Sequence, residues 1–239
     1  MIEKLNQGLK KLNLSFSQEQ ILKLEIYIQE VLEFNKSYNL MKATNADELA
    51  VNHVLDSLAA VESLTKIIKN LTEQNKISSL QIGDIGSGGG CPGIPLAVAF
   101  PEQNFTLVER MEKRCAFLQS TIQKMNLQNV KINSCNADNV LPESFDLEVF
   151  RAFHPFDKKI IKLLFKILKK GGFIAAYKAR YEKIISEMQE IQNFIDDYKI
   201  VKLTVPFLED HERNLVIIQK WFCVSFVILS VAKNRLTVC

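Results

Sequence analysis

The sequence predicts an α/β protein: a seven-stranded, mostly parallel sheet with an antiparallel terminal strand, preceded by an N-terminal helical extension. Three observations carry this. The first eighty residues have helical periodicity and only one glycine, Gly8. From residue 80 onward, short β-rich runs alternate with helical stretches, the pattern of a parallel sheet with crossover helices. The last two strand-like runs are separated only by a short charged turn, LEDHER. A parallel crossover needs about a dozen residues or more, so that pair is expected to be antiparallel.

Taken in order, Ser17 to Gln20 has the S-x-x-Q spacing of a capping box, and Ile21, Leu24, Ile28, Val31 and Leu32 follow at helical intervals. A second helix is expected from near Asn45, carrying His53, Asp56 and Ser57, and a third through ESLTKIIKNL. LQIGDI is a buried strand, followed by a glycine loop and a helix opening at Pro92. NFTLVE is the second strand and RMEKRCAFLQSTIQKMN the helix after it; NVKIN, FDLEVF and GFIAAYK supply three more strands. KIVKLTVPF and NLVIIQK close the series. The expected organisation is an extension at 1–79, an α/β domain at 80–220, and an appended tail at 221–239 that is an extra strand, a partner-facing segment or disordered.

Composition narrows the class. A hydrophobic share of 47% with 24% charge is that of a chain able to bury a core, and the net charge of +3 means that any basic character must be local. The N-terminal stretch lacks the apolar run of a signal peptide, and the longest apolar stretch, Trp221 to Ala232, is too short to span a bilayer. No membrane association is expected. The five cysteines are widely spaced without Cys-x-x-Cys pairs, and the three histidines do not accompany them in ligand patterns. Reduced thiols in a cytoplasmic protein, with no metal, follow.

The stretch DIGSGGGCPG, residues 84–93, is the chemical centre of the sequence. Glycines after a buried strand let a ligand approach the backbone, and the helix that follows directs unpaired N–H groups toward it. Gly88-x-Gly90-x-x-Gly93 satisfies the dinucleotide fingerprint, which keeps an NAD-dependent oxidoreductase open. The overlapping pattern Asp84-x-Gly86-x-Gly88-x-Gly90 places an acid two residues before the first glycine. A carboxylate repels pyrophosphate, whereas S-adenosylmethionine brings a sulfonium and an ammonium. Glu109 ends the next strand, where an acid can accept ribose hydroxyls, and Asp138 follows the third strand, where the adenine is expected.

The stretch DIGSGGGCPGIPLA resembles the signature of the bacterial RsmG (glucose-inhibited division protein B) family of small-subunit rRNA guanine-N7 methyltransferases. NLMKATNADELAVNHVLDSL, FRAF around Arg151, YK at Lys178 and ERNLVII at Arg213 and Asn214 match the family as well. The resemblance spans roughly residues 15 to 220. It implies a Rossmann-like S-adenosylmethionine-dependent methyltransferase fold. The cofactor would lie at Asp84, Gly86, Gly88, Gly90, Cys91, Glu109, Ala137, Asp138 and Arg151, with S-adenosylhomocysteine as product. Arg151 and Lys178, at successive strand ends, are the candidates for positioning at the active edge. Cys91 stands where the family usually has phenylalanine or leucine, and Asn136-Ala137-Asp138 where it tends to have Arg-Ala-Glu.

The implied partner is small-subunit rRNA or the small ribosomal subunit, bound by a monomer. In DKKIIKLLFKILKKGG, lysines 158, 159, 162, 166, 169 and 170 fall within an arc of roughly 120° on a helical wheel. Residues 158–183 hold nine Lys or Arg against one acid, Glu182. Single-sign clustering is the footprint of polyanion contact. Phe153 is a candidate to stack on a base, against the commoner role of a core phenylalanine. Guanine N7 carries a lone pair and no proton, so methyl transfer to it requires no general base, and no acid/base triad is expected. His53 and Asp56 share a helix face and read as a tie between helix and sheet. The competing class is a ribosome-binding protein with a vestigial cofactor pocket.

Overall fold

The structure is a computed structural model that describes residues 2–221. Of the expected tail, only Trp221, which is exposed, lies among them.

Ser17 caps the first long helix, α2 (Gln18–Asn35). Its hydroxyl accepts the Gln20 N–H, and the Gln20 side chain accepts the Ser17 N–H, the reciprocal box that the spacing predicts. A shorter helix, α1 (Glu3–Lys11), precedes it and buries Leu5 and Leu9, a pair one turn apart. The helix expected near Asn45 starts there: the Asn45 side chain accepts the Glu48 N–H and opens α3 (Ala46–Leu49). It continues through a π-helical turn, Ala50–Leu55, into α4 (Asp56–Leu58). Such turns recur at functional sites because the extra residue re-aims side chains. α5 (Val61–Asn75) completes the extension.

The sheet contains β1 (Gln81–Ile85), β2 (Asn104–Glu109), β3 (Val130–Ser134), β4 (Phe145–Arg151), β5 (Leu168–Lys178), β6 (Tyr198–Lys202) and β7 (Asn214–Gln219). Between them lie α6 (Gly93–Ala99), α7 (Glu112–Lys124), α8 (Lys158–Ile167) and α9 (Tyr181–Ile191). The order is β3-β2-β1-β4-β5-β7-β6, with β7 antiparallel to both neighbours; the expected strand KIVKLTVPF stops at Lys202, so the connection to β7 spans 203–213 and is longer than LEDHER alone. The order reverses beside β1, between β2 and β4. Open α/β sheets bind ligands at the strand ends beside such a reversal.

The lysine helix is shorter than its periodicity predicts. α8 ends at Ile167, Leu168 is extended, and residues 168–170 begin β5. Strand pairing overrides the helical pattern here: Leu168 is buried opposite Phe145, and the Lys169 ammonium lies 2.9 Å from the buried Asp146 carboxylate. Lys169 and Lys170 therefore leave the stripe.

Two apolar clusters sandwich the sheet. One joins Leu5, Tyr27 and Leu55 of the extension to Leu107, Leu147 and Val149, and the other joins Phe150 to Ile161, Leu164 and Ile184. The extension thus shares its core with the sheet and reaches the strand ends.

Candidate active site

The loop after β1 depends on backbone conformations that favour glycine: Gly86, Gly88 and Gly90 have φ of +73°, +58° and +98°. Asp84 lies beneath it, 1% exposed, and its Oδ2 accepts the Gly93 N–H at 2.9 Å. A Cβ at Gly93 would fall 2.5 Å from that oxygen, so glycine is what admits the carboxyl. Among the described residues Oδ1 has no hydrogen-bond partner, and burial pushes the Asp84 pKa up to about 7.

A first cavity of about 610 Å³ opens at the ends of β1, β2 and β3. Gly86, Glu109, Ala137 and Asp138 line it, with apolar walls from Met111 and Leu163. Glu109 is buried at its back: Oε2 accepts the Gly88 N–H at 2.9 Å, and Oε1 accepts those of Arg110 and Met111 at 2.9 and 2.8 Å. A carboxylate has about four acceptor positions, so roughly one remains for a ligand hydroxyl. Asp138 is exposed at the rim, in a short 3₁₀ turn, Ala137–Asn139.

A second cavity of about 810 Å³ adjoins the first, and Ala152, Phe153, His154 and Pro155 line both. Ala152 has φ +53°, a left-handed conformation that turns the chain sharply after β4. The Phe153 ring lies against Gly86, where a Cβ would stand 2.5 Å from it. Arg151 points into the second cavity. Its Nη1 donates to Asp56 Oδ2 at 2.6 Å and to the Asn52 carbonyl at 3.1 Å, and its Nη2 lies 2.8 Å from His53 Nδ1. A guanidinium only donates, so Nδ1 is the acceptor and the proton sits on Nε2, which faces the Lys42 carbonyl at 3.2 Å. Burial, reinforced by the Arg151 charge, lowers the His53 pKa and keeps the ring neutral. Arg213 Nε donates to the other Asp56 oxygen at 3.0 Å. His53, His154 and His211, the three histidines of the chain, all line this cavity.

The structure thus gathers Gly86, Glu109, Ala137 and Asp138 around the first cavity and places Arg151 and Lys178 on the second. Lys178 is tied to Glu187 at 2.6 Å, with its ammonium over the Phe156 ring. Gly88 lines neither cavity, and its N–H donates to Glu109. Asp84, Gly90 and Cys91 lie behind the loop: Gly90 is buried against Ile94, and the Cys91 sulfur is 3.1 Å from the Tyr27 hydroxyl. The tie between helix and sheet expected of His53 and Asp56 is present, with Arg151 as its partner on the sheet.

The sequence model of the family described as rRNA small subunit methyltransferase G (GidB) matches residues 20–216. The chain belongs to this family. It is 36% identical to "Ribosomal RNA small subunit methyltransferase G" of Treponema denticola over 90% of this chain and 92% of that one. The protein of the same name from Glaesserella parasuis is 29% identical over 92% of this chain and 100% of that one. Among solved structures, a tRNA (m1A58) methyltransferase, TrmI, from Aquifex aeolicus aligns with a TM-score of 0.55 at 17% identity, covering 83% of this chain and 76% of that one. That likeness is one of fold, and it agrees with the Rossmann-like sheet. Membership of the methyltransferase G family sets aside the NAD-dependent oxidoreductase.

Sequence reasoning missed four residues of this candidate site. Tyr27 reaches the glycine loop from α2, Asn52 and His211 line the second cavity, and Glu187 holds Lys178. Only Asn52 carried a signal, its place one residue before His53 in the family-like stretch.

Proposed function

We propose that the protein transfers a methyl group from S-adenosylmethionine to N7 of a guanine in small-subunit rRNA, with the cofactor in the first cavity and the target base in the second. The observation that carries this is the shared wall, Ala152 to Pro155, between a cavity with the buried Glu109 at its back and one that holds Arg151 and Arg213 on Asp56 and Lys178 on Glu187. The residues fit the cofactor. The first cavity's volume lies within the range of about 300–1,000 Å³ usual for small-molecule sites. Met111 and Leu163 offer apolar faces to a purine, Glu109 and Asp138 are acceptors for hydroxyls and an amine, and Gly86 admits close approach.

S-adenosylmethionine supplies an electrophilic methyl group on a sulfonium. The protein's share is alignment and desolvation, because N7 has no proton to remove. Phe153, between the cavities, offers a ring face to the base. Arg151 is held rigid by Asp56 and His53 and keeps a positive charge at the junction, where it favours the electron-rich O6–N7 edge of guanine. Neutral His53 adds no competing charge.

The same reading has the protein working as a monomer in the cytoplasm, with residues 80–220 as the methyltransferase unit and 1–79 as its extension. Lys42, Asn52, His53 and Asp56 bring the extension into the second cavity, so one chain supplies both cavities. Among the described residues no helix is long and apolar enough to cross a membrane. Light scattering on the purified protein tests the oligomeric state. The deciding experiment is transfer of labelled methyl to small ribosomal subunits lacking the modification, alongside deproteinised rRNA. Recovery of 7-methylguanosine at one site is the expected result; no label in either substrate, with cofactor binding intact, would favour a vestigial pocket.

A further inference from the structure

Tyr27 lies in α2, yet it is one of the few side chains bonded to the backbone of the glycine loop. Its hydroxyl donates to the Gly89 carbonyl at 2.8 Å and lies 3.1 Å from Cys91 Sγ and 3.5 Å from Met41 Sδ. A phenol has one proton, and a carbonyl can only accept. The Gly89 carbonyl is the nearest and strongest acceptor, ahead of the Met41 thioether, so it takes the proton, and the short sulfur contact is completed by the Cys91 thiol donating to the Tyr27 oxygen. The result is a directed chain, Cys91 S–H to Tyr27 O–H to Gly89 C=O. All three groups are buried, and burial raises the pKa values of both Tyr27 and Cys91, so both keep their protons.

The rest of the loop is bonded differently. Gly90 N–H turns back to the Ser87 carbonyl, Ser87 Oγ to the Asp84 carbonyl, and Gly88 N–H to Glu109. These bonds close the loop on the cavity side and on itself. The buried carbonyl of Gly89 is held from the extension. The space beyond it is filled from the same segment: a Cβ at Gly89 would lie 2.6 Å from Met41 Sδ and 3.3 Å from Leu40 Cγ. The loop is gripped between Glu109 of the sheet and Tyr27 of the extension.

We propose that Tyr27 is a positioning residue for the cofactor, its hydroxyl fixing the Gly89–Cys91 segment so that the cavity side of the glycine loop is preformed. The proposal rests on the first cavity being the S-adenosylmethionine site. It makes the extension part of the cofactor site as well as of the second cavity. It also gives Cys91 a role that an apolar side chain at that position cannot fill, donating to the phenol oxygen.

The test is Tyr27→Phe in the full-length protein, read by steady-state kinetics, by S-adenosylhomocysteine titration and by thermal unfolding. The expected result is a rise of about tenfold in KM for S-adenosylmethionine and in Kd for S-adenosylhomocysteine, with kcat and the KM for small subunits within twofold. KM and Kd within twofold of wild type would overturn the proposal, and so would a fall in kcat and melting temperature alone, which marks a packing role. Should Tyr27→Phe fail to fold, Cys91→Ala and Cys91→Ser decide. Serine keeps a donor and should give a Kd between those of wild type and Cys91→Ala; equal values for all three would overturn the proposal. Failure of the wild-type protein itself to bind S-adenosylhomocysteine would instead overturn the assignment of the cavity.

Discussion

Arg151 and Asp56, ninety-five residues apart, meet at 2.6 Å between the end of β4 and the first turn of α4. Asp56 is 4% exposed, and its second oxygen is held by Arg213. One buried carboxylate thus balances two guanidinium groups, one at the end of β4 and one just before β7. Removing it leaves two cations facing each other across the second cavity.

Asp56→Ala should therefore destabilise the protein by about 3–5 kcal/mol, the usual cost of breaking a buried pair from one side. Urea unfolding at neutral pH checks this. A loss under about 1 kcal/mol would mean that water or a shift of Arg213 compensates. Methyl transfer should fall as well at a temperature where the variant remains folded, because Arg151 loses the partner that fixes it.

Asp84 predicts a pH dependence. Burial raises its folded-state pKa from 3.8 to about 7, so the folded state holds the proton more tightly than the unfolded chain. Its contribution to stability is fully present below about pH 4, is lost as pH rises toward 7, and is constant above that. Asp84→Asn should flatten the stability profile across that window relative to wild type. A cationic ligand above the loop favours the ionised form, so wild-type affinity for S-adenosylmethionine should rise between about pH 6 and 8. The rise should be absent in Asp84→Asn; a parallel rise in the variant would assign the titration to another group.

Two glycines of the loop should respond differently to alanine. At Gly88 a Cβ meets nothing nearer than the Gly86 carbonyl at 3.9 Å, so the cost is the left-handed conformation, about 1–2 kcal/mol. At Gly93 a Cβ falls 2.5 Å from both Asp84 Oδ2 and Leu107 Cδ2. Gly93→Ala must push the Asp84 carboxyl off its N–H donor and overpack the core, and should cost more than Gly88→Ala in melting temperature. The opposite order would show that the helix start can shift to make room.

The sequence disclosed what is settled locally. The Ser17–Gln20 box and the glycine loop depend on residues a few positions apart and are found as expected, and the final pair is antiparallel as expected although its connection is longer than LEDHER. The direction of Arg151 was not legible, because Asp56 and His53 lie nearly a hundred residues away and the side chain follows them into the second cavity. Lys169 misled for a related reason: helical periodicity runs through it, but pairing of β5 with β4 and the Asp146 carboxylate decide its place. Tyr27 carried only the signature of a core aromatic at helical spacing, and its hydroxyl bond spans sixty-two residues.

Glu148 is the clearest case of a buried group that works against stability. It lies in β4 with 0% exposure, neither carboxyl oxygen has a partner among the described residues, and burial raises its pKa well above the usual carboxylate value. Glu148→Gln should stabilise the protein at pH 8 and change little at pH 4, where the wild-type carboxyl is already neutral. Equal effects at both pH values would indicate that shape at this position matters more than charge.

The shortened α8 sorts the lysines into two kinds. Lys158 and Lys162 are exposed and lie 5.7 and 5.5 Å from the Phe194 ring centroid, whereas Lys169 is committed to Asp146. Replacing Lys158 and Lys162 with glutamate should weaken rRNA binding and reduce the slope of log affinity against log salt by about 1.4, given about 0.7 per contact on single strands. Affinity for S-adenosylhomocysteine should not change, since neither residue lines the first cavity. Lys169→Glu should do the reverse, lowering the melting temperature by setting two carboxylates together while leaving the salt slope alone. Filter binding over a salt series, run beside thermal unfolding, separates the two. A slope unchanged by the Lys158/Lys162 pair would leave those lysines as solvated surface and move the RNA path to the cations around the second cavity.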